Sequence, residues 1–202
     1  MSSSEVKALQ DLRWGSLYAI LANVLLSISA ALLVGLIISS AFFFSLSSPS
    51  VAVGSVAVVV ILEIIALVFT VLSTLKLRSG FRGLNAIGKD VGGVTGTTLW
   101  IIGIILMITV IIPFIGFIAF VGAILIIVGL IIIGLAIKRV GEIYNVSNIN
   151  IGGILIAIGS IIPFLAFIGF ILTYMGLGKL LNTMGPGGQP PSGPSQGTAP
   201  TQ

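Results

Sequence analysis

An all-α integral membrane protein, a bundle of about six transmembrane or re-entrant helices in three hairpins, is the fold class this sequence predicts. Three observations lead there. The 202 residues are 57% hydrophobic and 7% charged, with a mean hydropathy of +1.27, which leaves too few charged side chains to cover a water-soluble globule. The apolar residues come in charge-free runs longer than a buried core helix needs. The nine Lys and Arg sit between those runs, and with six segments they all fall on one side of the membrane, as topology signals do.

Residues 1–14 are mixed in charge, with Ser2 three places before Glu5 as in a capping box, and are expected to lie at the cytoplasmic interface. Trp14 and Tyr18 stand where an aromatic belt belongs. The first segment, 16–44, follows. Its charge-free core of about 28 residues is roughly 42 Å long as a helix, too long for the apolar region of a signal peptide, so it is expected to belong to the mature protein. An uncharged turn containing Pro49 leads into segment 51–77, whose apolar run is interrupted only by Glu63. The polar stretch 76–96 carries Lys76, Arg78, Arg82, Lys89 and Asp90 and then Gly92, Gly93 and Gly96. By the positive-inside rule it is cytoplasmic.

Residues 97–137 hold no charge and would reach roughly 60 Å as one helix, about twice the hydrocarbon thickness. The chain must therefore fold back, and Pro113 is the natural break. That divides it into segments 97–112 and 114–139. A last apolar run follows Lys138–Asn150 and has its own proline, Pro163, dividing 150–162 from 164–182. The two prolines stand in a repeat: residues 101–130 align without gaps on 151–180, and Ile-Ile-Pro-Phe recurs at 111–114 and 161–164. If one copy turns back at its proline, so should the other. The alternative is five segments, with 151–181 as one Pro-kinked helix; the short third and fifth segments also suit re-entrant half-helices. Together, 15–183 form the membrane domain. Residues 184–202 are rich in Gly, Pro, Ser and Gln and read as a disordered tail.

The strings LRSGFRGLNAIGKDVGGVTGTTLWIIG (77–103) and RVGEIYNVSNINIGGILIAIGSIIPFLAFIGFILTYMGLGKL (139–180), with the opening LRWGSLYAI (12–20), resemble an archaeal family of multi-pass membrane proteins known as domain of unknown function 973, frequent in Sulfolobus-like thermoacidophiles. The resemblance covers nearly the whole chain apart from the tail. It implies an archaeal plasma membrane and brings no activity and no site residues with it.

Composition also narrows the chemistry. With no His and no Cys there is no imidazole base, no thiolate nucleophile and no zinc site of the usual ligands. No catalytic residue, cofactor or metal is expected, and the basic balance reads as topology rather than nucleic-acid binding. Glu63 is the most informative residue, because an ionised carboxylate at mid-span costs a few kcal/mol. It is a candidate proton or cation site; the blander reading is a carboxyl hydrogen-bonded to a neighbouring helix, through Asn23, Thr109, Ser160 or Thr173. Gly15, Ala19, Asn23, Ser27, Ala31, Gly35 and Ser39 form an i, i+4 ridge of small or modest side chains, suited to close helix packing inside the bundle or between proteins. GKDVGGVTGTT lacks the spacing of a phosphate loop. Asn145-Val146-Ser147 matches a glycosylation sequon but is expected to face the cytoplasm unmodified. Lys76, Arg78, Arg82 and Lys89 are candidates for anionic head groups, although flanking charges ordinarily just orient the spans.

The function expected is therefore a non-enzymatic structural or accessory membrane component, packing with itself or with another membrane complex. The alternative is a small transporter or channel using Glu63. The expected setting is the lipid of a plasma membrane, with both termini cytoplasmic and no nucleic-acid partner.

Overall fold

The computed structural model describes residues 2–42, 49–108 and 116–183. Among these there are six helices and no strand: α1 (Ser3–Phe42), α2 (Pro49–Ala86), α3 (Gly93–Ile108), α4 (Gly116–Ile143), α5 (Ser147–Gly159) and α6 (Pro163–Thr183). Each helix packs chiefly on its neighbours in the chain, and α6 closes on α1 to complete a ring. Four helices, α1, α2, α4 and α6, are long and apolar enough to cross a membrane, whereas α3 and α5 are short apolar helices of about 24 and 20 Å. Pro113, the tail and Thr109 lie outside the described residues.

Pro163 resolves the choice between five and six segments. It begins α6 after a turn at 160–162, and α6 folds back on α5 so closely that a Cβ on Gly152 would stand 2.8 Å from the Gly169 carbonyl. The pair is a hairpin rather than one kinked helix.

Helix ends differ from the sequence expectation at the basic end, for identifiable reasons. α1 runs unbroken from Ser3, so residues 3–14 are helical and continuous with the first span, and the Ser2 hydroxyl accepts the Glu5 N–H at 3.3 Å as the N-cap half of a capping box. α2 continues to Ala86, with Lys76 paired to Asp11 of α1, and it stops in a Schellman motif. Gly88 takes φ +82°, the Lys89 N–H donates to the Leu84 carbonyl and the Gly88 N–H to that of Asn85. The glycine of GKD is thus a helix terminator. α4 ends the same way, with Asn145 at φ 53° and the Val146 N–H on the Gly141 carbonyl, so the sequon asparagine stands where a left-handed residue is required.

The best-packed region is also at this end. Leu9 and Leu12 of α1, Leu77, Phe81 and Leu84 of α2, Ile133, Ile137 and Val140 of α4, Ile149 of α5 and Leu177 of α6 are all buried. Where five helices converge, Leu12, Ser16, Leu77, Ile137, Val140, Ile149, Thr173 and Leu177 close the seam so fully that no water fits between them.

Candidate functional site

The α1–α2 hairpin reads very differently along its length. In its lower half Gly15 sits against α2, where a Cβ would come within 2.8 Å of the Leu77 side chain, and Ala19 is buried. One turn further, Asn23 and Ser27 reach the seam with α6, where they line a cavity of about 330 Å³ together with Val24, Ile28, Pro163, Phe164 and Phe167. Because α6 begins at Pro163, α1 beyond Ile28 loses that neighbour. Leu32, Leu33, Val34, Ile37 and Ile38 are then all exposed, as are Val56, Val58, Val60, Ile61, Ile64 and Ile65 on α2.

The ridge therefore divides. Gly15 and Ala19 pack within the chain, Asn23 and Ser27 border the α1–α6 cavity, and Ala31 and Gly35 are exposed, with open space around Gly35 to 4 Å. Gly54 on α2 has the same open surroundings. The Ser39 side chain lies outside those described.

Glu63 stands on this outer half of α2 and is exposed; the buried Ser29 hydroxyl donates to its Oε1 at 3.3 Å. Neither Asn23, Ser160 nor Thr173 is its partner, because each is spent on its own helix: the Asn23 amide on the Ala19 carbonyl, Ser160 on that of Ala157, Thr173 on that of Gly169. Back-bonding of this kind is the ordinary outlet for hydroxyls in apolar helices. Ser29 and Ser73, which donates to the Gly15 carbonyl at 2.8 Å, instead tie α1 to α2. Ser29 was within reach of sequence reasoning, since counting outward from the turn at 45–50 brings Glu63 to within about one helical turn of it.

A second polar constellation lies beyond the apolar spans, at the basic end. Glu5, buried on the first turns of α1, accepts from Lys89 and from the Tyr144 hydroxyl at 2.6 Å, while the Lys89 ammonium also stands 4.2 Å from the centre of the Tyr144 ring. Burial pushes the Glu5 carboxyl up, but the bonds from Lys89 and Tyr144 outweigh it and hold it below its ordinary value. Burial and the Glu5 acceptor push the Tyr144 phenol far up, so it stays protonated and donates to Glu5, while its oxygen accepts from the Lys89 ammonium at 3.1 Å. Asp11 similarly accepts from Lys76 and from Ser79, each at 2.7 Å. This network joins α1 to the loop after α2 and the turn after α4, and sequence reasoning missed it because nothing in the spacing of Glu5, Lys89 and Tyr144 connects them. Removing the Tyr144 hydroxyl (Tyr144→Phe) leaves Glu5 one donor short, and is expected to cost about 1 to 2 kcal/mol of stability in a detergent unfolding titration.

These features define a class: a helical multi-pass membrane protein whose apolar crossings are joined by one charged, well-packed end. Residues 5–201 match the family described as Protein of unknown function (DUF973), and the chain belongs to that family. No curated protein and no solved structure matches it.

Proposed function

We propose that this protein is a non-catalytic structural component of the membrane that assembles with further copies of itself through the outer half of the α1–α2 hairpin. The observation that carries this reading is the stretch of α1 beyond Ile28, which has α2 beside it and exposed side chains elsewhere, and which presents Ala31 and open-sided Gly35 one turn apart. Small residues at that spacing let another helix approach closely, which is what drives association in lipid. The acids at the basic end are occupied, three by lysines and Asp90 by the Gly92 N–H, which leaves them poorly placed for acid–base chemistry. The setting we propose is an archaeal plasma membrane, with the basic end, and so Ser3 and Thr183, in the cytoplasm.

The test is the oligomeric state in native membranes or mild detergent. Ala31→Leu with Gly35→Leu should weaken self-association at least tenfold, about 1.4 kcal/mol, without unfolding the chain. Unchanged assembly removes the outer hairpin from the account, and assembly solely with a different protein replaces self-association by an accessory role.

Glu63 favours a second reading, a small transporter in which this carboxyl carries a proton or cation, because it is exposed at mid-span with a single hydroxyl on it. The closed seam between the helices speaks against a route along the bundle axis. The transport reading expects a flux into liposomes that Glu63→Gln abolishes; a flux that persists in the variant excludes the residue.

A further inference from the structure

All three ion pairs among the described residues use lysine: Asp11 with Lys76, Glu5 with Lys89 and Glu142 with Lys138. The four arginines, Arg13, Arg78, Arg82 and Arg139, have no carboxylate partner there. Two of them carry a buried Nε–H without an acceptor, Arg13 and Arg78. Arg13 reaches over α6, its guanidinium carbon 4.7 Å from the Tyr174 ring centre and its Nη2 3.4 Å from the Tyr174 hydroxyl, beside Gly178. These contacts with Tyr174 leave the Arg13 Nε–H to be satisfied. A buried donor without an acceptor is costly.

We propose that the four arginines form a collar that binds the phosphate groups of anionic phospholipids. Position argues for lipid over a dissolved anion. Arg13 directly precedes the belt residue Trp14, Arg78 and Arg82 follow the apolar part of α2 within two turns, and Arg139 comes two residues after the last residue, Ile137, of the charge-free run of α4, so each stands at the depth where head-group phosphates lie. Chemistry argues for phosphate, since the planar guanidinium fork matches two of its oxygens where a lysine offers a point charge. Of the four cations that sequence reasoning put forward for head groups, Lys76 and Lys89 are taken by Asp11 and Glu5, and Arg13 and Arg139 join Arg78 and Arg82 in their place.

The experiment uses the full chain in nanodiscs of phosphatidylcholine with and without phosphatidylglycerol, reading retained lipid by native mass spectrometry and the unfolding midpoint in parallel. The chain should retain phosphatidylglycerol in preference to phosphatidylcholine and unfold at a higher temperature with it. Each arginine removed should lower that preference about fivefold, so the exposed pair Arg82→Gln and Arg139→Gln should lower it about 25-fold. Lys138→Gln, which removes a cation already paired with Glu142, should leave it nearly unchanged. Equal retention of both lipids, or a loss as large in Lys138→Gln as in the arginine pair, overturns the proposal. Displacement of the lipid by millimolar inorganic phosphate, or stabilisation by phosphate alone, would assign the arginines to a soluble anion instead.

Discussion

Replacing Gly153 by valine is expected to force α4 and α5 apart and to cost about 3 kcal/mol or more. Gly153 of α5 meets Gly134 of α4 so closely that a Cβ on Gly153 would collide with the Lys138 backbone nitrogen and stand 2.5 Å from the Gly134 carbonyl; one on Gly134 would stand 2.5 Å from the Ala157 nitrogen. Those neighbours are backbone atoms, which cannot rotate out of the way as a side-chain tip can. In lipid there is little hydrophobic drive to hold two helices that no longer fit, since the surrounding chains are as apolar as the helices themselves. Overpacking a tight core costs about 1 to 3 kcal/mol even where side chains can shift, and here the helices themselves must move. Reversible unfolding in mixed micelles, followed by helix circular dichroism, measures the loss. Gly35→Ala is the contrast for the single chain: its surroundings there are open, so under monomeric conditions it should be neutral or should gain up to about 1 kcal/mol from helix propensity.

Lys89→Met should have the next largest effect, a loss of about 2 to 3 kcal/mol at neutral pH. The substitution keeps an unbranched apolar stem, one atom shorter, but leaves Glu5, buried at 6% exposure, with the Tyr144 hydroxyl and no cation. Breaking a buried pair from one side costs more than the pair contributes, because the remaining charge is stranded; partial exposure of Lys89 at 31% reduces the figure. The pH dependence has a definite sign. The carboxyl of Glu5 is held below its ordinary value in the folded protein, so its contribution is present above the ordinary carboxylate range and is lost as pH falls through the lowered value. The gap between the native chain and Lys89→Met should therefore close as the pH drops below about 4. A gap that stays constant down to that pH would show that Lys89 acts by packing alone.

Much of this fold was legible in the sequence, because the hydrocarbon layer leaves a chain few options. The charge-free runs marked the spans, and Pro163 marked a reversal that the α5–α6 hairpin makes. What was illegible arose where tertiary contact overrides local pattern. The polar stretch 76–96 read as a long connection, yet most of it is helix: two of the cations that suggested a loop, Lys76 and Lys89, pair with Asp11 and Glu5 of α1, and the true stop is the left-handed Gly88. The ridge on α1 looked continuous, but an i, i+4 row on one helix carries no information about where a neighbour begins. The start of α6 at Pro163 is what separates packed Gly15 and Ala19 from open Gly35. Glu63 was conspicuous as the lone charge in its span, whereas its partner Ser29 was one hydroxyl among many until the register of the hairpin singled it out.

Whether copies of this chain meet through the outer half of α1 is open to direct measurement because the sequence has no Cys. Single cysteines at Ala31, Gly35 and the buried Ala19, oxidised in native membranes, report which positions of two copies come within the roughly 7 Å between Cα atoms that a disulfide tolerates. A crosslinked dimer is expected from Ala31→Cys or Gly35→Cys and none from Ala19→Cys. Absence of the dimer at both outer positions, with the chain monomeric in the same membranes, would contradict it.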